Sequence, residues 1–218
     1  MQCLIKNMRT VNPEILGSID CNDPKVVRSR REFRAINRFL RGESWIRNNL
    51  KGMSPQKIIE LGAGDGWLAE RLKRDHPNSE VIAVDVLDRP ERLPEDIKWV
   101  RRNALDLDIY DGAVVVANLF LHQLEPDLID LLNEKVERAD LLLFAEPYRD
   151  ELTRLTAQMV KPFMNEVTRK GMDAGVNGGF RIGELSSSFR HNFRVSEDLG
   201  LFGGIRFMGV QAEAVARG

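Results

Sequence analysis

Three glycines at alternate positions follow an acidic residue in the stretch IIELGAGDGWL, residues 58–68. The apolar run before Glu60 is typical of a buried strand, and the residues after Gly66 have leucines at helical spacing. Glycine permits a tight turn and lets a ligand approach the backbone. Because ligands of parallel sheets bind beyond the carboxyl ends of the strands, this loop is a candidate ligand site.

The residues around the loop restrict the kind of ligand. Trp67 stands where a dinucleotide fingerprint continues toward its last glycine, which disfavours NAD or FAD. Glu60 would repel a phosphate and would suit a cationic group. Asp85 ends the next predicted strand, about 20 residues further on, where a carboxylate can accept both hydroxyls of a ribose. A ligand with a ribose, a positive charge and no phosphate corresponds to S-adenosylmethionine.

At these residues the sequence resembles the class I S-adenosylmethionine-dependent methyltransferases. IIELGAGDGWLAERL is similar to their first motif and VIAVD to the acidic strand that follows it, and the likeness extends over about residues 57–212. The resemblance implies that loop amides line the methionine part of the cofactor, that Asp85 holds the ribose, and that S-adenosylhomocysteine is the product. The cofactor-binding residues predicted in this way are Glu60, Gly62, Ala63, Gly64, Gly66, Asp85, Val86, Asn103, Ala104, Asn118 and Leu119.

One of these roles, the contact with the adenine, has an open alternative. The family usually has an acid near the adenine, a role that Asn103 or Asp106 could fill. Asn118 ends the fourth predicted strand, where backbone groups of the family meet the amino-acid part of the cofactor.

The elements that must position these residues alternate between strands and helices. Their pattern predicts an α/β fold: a Rossmann-like, doubly wound, mostly parallel seven-stranded sheet with an antiparallel last strand, plus an N-terminal helical lid. Residues 1–52 are predicted to form an arm and the lid helices, and residues 53–218 the cofactor-binding domain. Strands are expected at 57–61, 80–85, 97–103, 112–118, 140–146, 193–198 and 205–212, and helices at 26–40, 44–50, 67–75, 126–138, 149–170 with a break at Pro162, and 182–189.

Candidate substrate residues follow the fourth and fifth predicted strands. His122, in ANLFLHQLEP, could take a proton from a hydroxyl nucleophile, or it could pack the start of the next helix. Glu146 could contact the substrate or cap the helix that follows. The other two histidines, His76 and His191, are predicted to be loop or surface residues.

The glycine-rich segment 170–185 interrupts the expected alternation before the sixth strand. Its composition predicts a mobile lid over the substrate, with Asp173, Asn177 and Arg181 as candidate contacts. A solvated surface loop is the alternative interpretation.

An arginine-rich predicted helix, residues 24–42, precedes the sheet. It could cover the cofactor, with Asn37 and Arg38 reaching the cofactor carboxylate, or it could present an RNA- or phosphate-binding face. No aromatic stripe interleaves with its arginines. The chain as a whole has a formal net charge of -1, which gives no general reason to expect nucleic-acid or membrane binding.

Methyl transfer needs positioning and desolvation more than covalent help from the protein. We therefore expect an enzyme that methylates O or N of a small-molecule acceptor, with His122 favouring O. Asn118 is not followed by the Pro-Pro-aromatic sequence of amino-methylating DNA enzymes, and no cysteine nucleophile or metal-ligand cluster stands out. The alternatives are an RNA or protein methyltransferase, a catalytically silent cofactor-binding domain and, disfavoured by Trp67 and Glu60, a nicotinamide enzyme.

Composition sets the remaining expectations. The 218 residues suffice for one domain with a core, and 43% of them are hydrophobic and 30% charged. The two cysteines, Cys3 and Cys21, have no metal-site spacing, and we do not expect a disulfide framework in a chain of this size. The first residues lack the apolar core of a signal peptide, and no apolar run is long enough for a membrane span. A reducing, cytoplasmic setting is expected, and the sequence does not predict an oligomeric state.

Overall fold

The structure, a computed structural model, describes residue 9, residues 24–200 and residues 203–212. Its centre is a seven-stranded sheet with the strand order β3-β2-β1-β4-β5-β7-β6. Strands β1 to β5 pair in parallel, whereas β7 runs antiparallel to both β5 and β6. This confirms the predicted sheet, including its single reversed last strand.

The strands are β1 (Lys57–Leu61), β2 (Glu80–Asp85), β3 (Lys98–Arg101), β4 (Val114–Asn118), β5 (Leu141–Pro147), β6 (Phe193–Leu199) and β7 (Gly204–Gln211). The described helices are α1 (Pro24–Leu40), α2 (Gly42–Leu50), α3 (Trp67–Asp75), α4 (Pro126–Val136), α5 (Glu151–Val160), α6 (Glu166–Gly178) and α7 (Glu184–Phe189), and short 3₁₀ turns lie at Ala104–Asp106, Leu121–Gln123 and Lys161–Phe163.

Apolar side chains bury both faces of the sheet, as a parallel sheet requires. One face packs against α4 and α7, where the rings of Phe144, Phe189 and Phe207 are in mutual contact. The other face packs against α2 and α3 through residues such as Ile46 and Leu68. The near-continuous apolar sequence of β4 and β5 follows from this two-sided burial.

The segment predicted as a glycine-rich loop is largely helical, which is a correction to the sequence analysis. Helix α6 begins after Asn165, whose side chain accepts a hydrogen bond from the amide of Thr168, and continues to Gly178. The predicted long helix 149–170 is divided by the turn that contains Pro162, as the proline indicated. Asp173 and Asn177 therefore lie on a helix rather than in a mobile loop.

His76, predicted to be a loop or surface residue, lies in the loop directly after α3, where it is buried rather than exposed. His191 is exposed, as predicted. Cys3 and Cys21 lie outside the described residues.

Helix α1 lies across the edge at which the parallel strands end. Its Arg34 is paired with Asp65 of the glycine loop at 2.8 Å, and its Asn37 accepts a hydrogen bond from Asn118 at the end of β4. Its Glu32 accepts hydrogen bonds from the backbone amide and the hydroxyl at the start of α6, at Asn165 and Thr168. The helix therefore contacts the loop after β1, the end of β4 and α6.

Candidate active site

The glycine loop after β1 uses backbone conformations that favour glycine. Gly62, Gly64 and Gly66 have φ of 65°, 55° and 74°, in the left-handed region. A side chain at Gly62 would overlap the ring of Phe120, whereas one at Gly64 would meet nothing within 4 Å. The loop therefore packs closely on the β4 side and is open at its centre, where a ligand can reach the backbone.

Asp85, at the end of β2, holds this loop in place. One carboxylate oxygen accepts the amide of Gly64 at 2.7 Å, and the other accepts the amide of Leu87 at 2.9 Å. A carboxylate has about four acceptor positions, so Asp85 can also accept hydroxyl groups from a ligand. The next residue, Val86, is 60% exposed and offers an apolar surface beside them.

Glu60, at the end of β1, is buried at the start of α3. Its carboxylate accepts the backbone amide of Ala69, while its atom Oε2 has no hydrogen-bond partner. Burial, followed by the nearby carboxylate of Glu43, raises the pKa of Glu60 well above its ordinary value. A cation in contact with this unpartnered oxygen would compensate for the cost of the buried charge.

The end of β4 lies between the glycine loop and α2. The Asn118 side chain donates to Asn37, and its Oδ1 atom is buried without a partner. A side chain at Gly42, the first residue of α2, would overlap this oxygen. Leu119 has φ of 57°, an uncommon backbone conformation for a branched residue and one that often marks functional segments. Arg38, predicted beside Asn37 as a cofactor contact, is exposed.

The predicted adenine side lies beyond β3. The Asn103 side chain accepts the amide of Leu105 and so caps the 3₁₀ turn Ala104–Asp106. Ala104 is buried, and its carbonyl accepts the hydroxyl of Tyr110 at 2.7 Å. Asn103 therefore has a structural partner, and Asp106 is the exposed acid of this turn.

Sequence reasoning missed a cluster around Trp67. The guanidinium groups of Arg34, Arg71 and Arg92 lie 5.8, 4.6 and 5.6 Å from the centre of the indole ring. Asp65 pairs with both Arg34 and Arg92. The residue that disfavoured a dinucleotide therefore helps to fasten α1 and the β2–β3 connection to the glycine loop.

On the other side of β4, His122 and Glu146 form a buried pair. The Nδ1 atom of His122 lies 2.9 Å from the Glu146 carboxylate, and the exposed fractions of the two residues are 9% and 1%. The same carboxylate accepts the backbone amides of Phe120, Leu121 and His122. Glu146 was predicted as a substrate contact or a helix cap, but both of its oxygens are used to hold the turn that carries His122.

The second ring nitrogen of His122 faces α6. A Cβ atom placed on Gly175 would lie 4.0 Å from Nε2 and 3.6 Å from Pro147. The end of α6 is tied to the chain after β5, because Phe180 donates its amide to Pro147 and Arg149 donates its amide to Phe180. The absence of a side chain at Gly175 leaves space beside Nε2.

The two remaining predicted substrate residues, Asp173 and Arg181, have partners elsewhere in the chain. Asp173 pairs with Lys161 and its side chain is 54% exposed. Arg181 donates its backbone amide to Glu184, which in turn pairs with the buried Arg149.

Arg9 is a further residue of this region that the sequence did not indicate. Its guanidinium donates to the carbonyl oxygens of Leu121, Leu124 and Gly178 and lies 4.4 Å from the centre of the Phe180 ring. Burial lowers the pKa of Arg9 from its ordinary value, although Glu146 and other acids oppose this shift. A single arginine in a segment with no motif left no signal that could have identified it.

The chain is similar in sequence and in fold to known methyltransferases. No family model matches the chain. A bifunctional methyltransferase of Rickettsia typhi is 22% identical over 170 residues, which is 70% of this chain and 32% of that protein. The release factor glutamine methyltransferase of Escherichia coli is 33% identical over 66 residues, 30% of this chain and 22% of that protein. The chain thus matches about a third or less of the length of these relatives.

Solved structures match over most of the chain. The plantazolicin methyltransferase BpumL, in complex with S-adenosylhomocysteine, has a TM-score of 0.68 and 10% identity, with 91% of this chain and 94% of that chain covered. A protein from Nostoc punctiforme is described as an O-methyltransferase, although its activity is not established. Its structure has a TM-score of 0.64 and 16% identity, with 96% of this chain and 66% of that chain covered. The chain therefore has the fold of the class I S-adenosylmethionine-dependent methyltransferases, and parts of its sequence are similar to methyltransferases.

Among the described residues, no helix combines the length and the apolarity that crossing a bilayer requires. Within the same part of the chain, no group of three or more His, Cys, Asp or Glu side chains could hold a metal ion.

Proposed function

We propose that the protein is an S-adenosylmethionine-dependent methyltransferase that methylates a hydroxyl oxygen of a small molecule, with His122 as the general base. The observation that carries the proposal is the buried hydrogen bond between His122 and Glu146, beside the loop that the family uses for its cofactor. A hydroxyl acceptor is a poor nucleophile until its proton is removed, so a positioned base is useful to O-methylation in particular.

The residues proposed to bind the methyl donor have groups that suit the parts of S-adenosylmethionine they would contact. Gly64 offers open backbone, Asp85 has acceptor positions for the two ribose hydroxyls, and Val86 offers an apolar face for the adenine. The unpartnered Oε2 atom of Glu60 supports an acidic contact for a cationic group, directly or through water. Bound here, S-adenosylmethionine would supply an electrophilic methyl group attached to a sulfonium.

The acceptor side supplies the base. Since ionised Glu146 can only accept hydrogen bonds, it holds the proton of His122 on Nδ1 and leaves Nε2 as the acceptor. Nε2 faces the space beside Gly175, where an acceptor hydroxyl can give up its proton. Glu146 orients the ring and stabilises the cation that results, which is the role of the acid in other His–carboxylate pairs.

Names of the relatives give additional support for the acceptor class. One structural neighbour is described as an O-methyltransferase, and another, BpumL, was solved with analogues of desmethylplantazolicin. Both descriptions are consistent with a small-molecule or natural-product acceptor for this chain.

Calorimetric titration with S-adenosylhomocysteine, with NAD as a comparison ligand, tests the donor side. We expect binding of the sulfur ligand and none of NAD. Absence of S-adenosylhomocysteine binding would overturn the proposal.

Methyl transfer from labelled S-adenosylmethionine to a panel of phenols, enols and amines tests the acceptor side. His122→Ala should lower kcat for the best hydroxyl acceptor by about 10²–10⁴-fold. His191→Ala, a change at an exposed histidine, is the matched control and should leave kcat unchanged. A wild-type rate for His122→Ala would exclude this residue as the base.

A further inference from the structure

Arg9 connects the turn that carries His122 to the end of α6, two elements that are more than 50 residues apart in the sequence. Its Nη2 atom donates to the carbonyls of Leu121 and Leu124, at the turn that carries His122. Its Nε atom donates to the carbonyl of Gly178, the last residue of α6, at 2.7 Å. The guanidinium plane also lies over the ring of Phe180.

These contacts suit a guanidinium in particular. Carbonyl oxygens near helix ends carry partial negative charge, and each has two acceptor positions, so that of Leu121 can accept from Arg9 as well as from the amide of Leu124. Only a planar group with several donors in a fixed fork can reach three of them while it covers an aromatic face. Glu146, Glu184 and Glu125 add negative potential at this place, opposed by Arg149.

The two elements that Arg9 joins are the two walls of the space beside His122. The turn Leu121–Gln123 carries the ring, and α6 carries Gly175, less than one helical turn before Gly178. We propose that Arg9 is a positioning residue for the acceptor site, which fixes the distance between His122 and α6 and so the place where the acceptor hydroxyl lies. Its role in catalysis rests on the function proposed above.

The contacts of Arg9 lie on the side of the site proposed for the methyl acceptor. Among the described residues, Arg9 contacts the His122 turn, the end of α6 and Phe180, and none of these contacts involves the glycine loop or Asp85. Loss of Arg9 should therefore change acceptor turnover and the state of the His122 ring while the affinity for S-adenosylhomocysteine stays within about twofold.

The experiment compares Arg9→Ala, Arg9→Lys and the control Arg31→Ala, a change at an exposed arginine of α1. Hydrogen exchange at the amides of Leu121 and His122, both bonded to Glu146, reports on the turn. Nitrogen NMR of His122 reports which ring atom carries the proton. We expect exchange at least tenfold faster in Arg9→Ala, a mixture of ring tautomers, and intermediate behaviour of Arg9→Lys.

Chemical rescue provides a second readout that a general loss of stability would not give. Addition of about 20 mM guanidinium chloride to Arg9→Ala should restore slow exchange and, with an acceptor in hand, part of kcat, whereas equal concentrations of sodium chloride or urea should not. Unchanged exchange and an unchanged His122 tautomer in Arg9→Ala would overturn the proposal.

The two proposals fail separately. If S-adenosylhomocysteine does not bind the wild-type protein, the proposed function is wrong, and the exchange and NMR results still decide whether Arg9 holds the turn. If S-adenosylhomocysteine binds but Arg9→Ala keeps the acceptor kcat and KM of the wild type, the role of Arg9 in catalysis is wrong and the proposed function stands.

Discussion

The carboxylate of Asp85 lies 2.7 Å from the amide nitrogen of Gly64, so a side chain of β2 fixes the centre of the loop that follows β1. The two strands are parallel neighbours in the sheet, and their carboxyl ends are therefore at the same edge. The same carboxylate holds Leu87 at the start of the next connection. Loop shape and the proposed ribose contact thus depend on one residue.

Asp85→Asn should weaken the binding of S-adenosylhomocysteine by about 10–100-fold, because hydrogen bonds to a charged group contribute about 1.5–3 kcal/mol. An amide also replaces one acceptor oxygen by a donor that faces an N–H group. Isothermal titration calorimetry measures the effect, with Asp88→Asn, at an exposed acid, as the control. A change of less than twofold would show that the ribose assignment is wrong.

Glu60→Gln should make the ligand-free protein more stable and the complex weaker. Burial raises the pKa of Glu60, so its contribution to stability is complete below the ordinary value of 4.5 and is lost as the pH rises through the raised pKa. The variant should therefore exceed the wild type in melting temperature at neutral pH but not at pH 4. Each kcal/mol corresponds to about 2–4 °C in a chain of this size.

The binding half of this prediction uses the same protein. S-adenosylhomocysteine should bind Glu60→Gln less tightly at pH 7, because the ammonium group of its amino-acid part loses a charged neighbour. Equal melting temperatures at neutral pH, or undiminished affinity, would contradict the assignment of an uncompensated buried carboxylate.

Glu146→Gln should lower both stability and turnover. The wild-type carboxylate accepts three backbone amides and the His122 ring, and an amide side chain can accept with only one of its two terminal atoms. Unsatisfied buried donors cost about 1–3 kcal/mol, which denaturant unfolding can measure. Glu134→Gln, at an exposed acid further along α4, is the control and should change neither property.

Gly175→Ala should raise stability and impair the reaction. Alanine in place of glycine within a helix stabilises it by about 0.5–1 kcal/mol, and the new methyl group would make ordinary contacts with Pro147 and His122. The same methyl group would take space beside Nε2, so KM for the acceptor should rise. Gly171→Ala, whose methyl group would overlap the Phe33 ring, should instead lose stability. A more stable variant with unchanged KM would show that the acceptor does not lie between His122 and α6.

Local patterns were sufficient to predict the sheet and the glycine loop. Strand β1 has its predicted bounds and β4 begins two residues later than predicted, at Val114, and the buried faces of both strands follow from their short apolar runs. Asp85 could be paired with the loop because parallel strands end at one edge. The donor side is therefore the part of the site that sequence alone describes well.

Helix α6 was not predictable because its glycines oppose helix formation on their own. Gly171 and Gly175 lie one turn apart on the face that packs against Phe33, Pro147 and His122. Close packing of these distant residues overrides the local preference, and neither partner can be identified from the local sequence. The Glu146 contacts and Arg9 were missed for the same reason, since their partners lie 24 or more residues away.

The end of β4 has a consequence for how the two halves of the site influence each other. Asn118 contacts α1, and within four residues the chain reaches His122, with only Leu119, Phe120 and Leu121 between them. A ligand that shifts this junction from the cofactor side also changes the contacts that a second ligand can make on the acceptor side. Thermodynamic linkage requires any such effect to be reciprocal. If the bound methyl donor changes the affinity for the acceptor by some factor, the bound acceptor changes the affinity for the donor by the same factor.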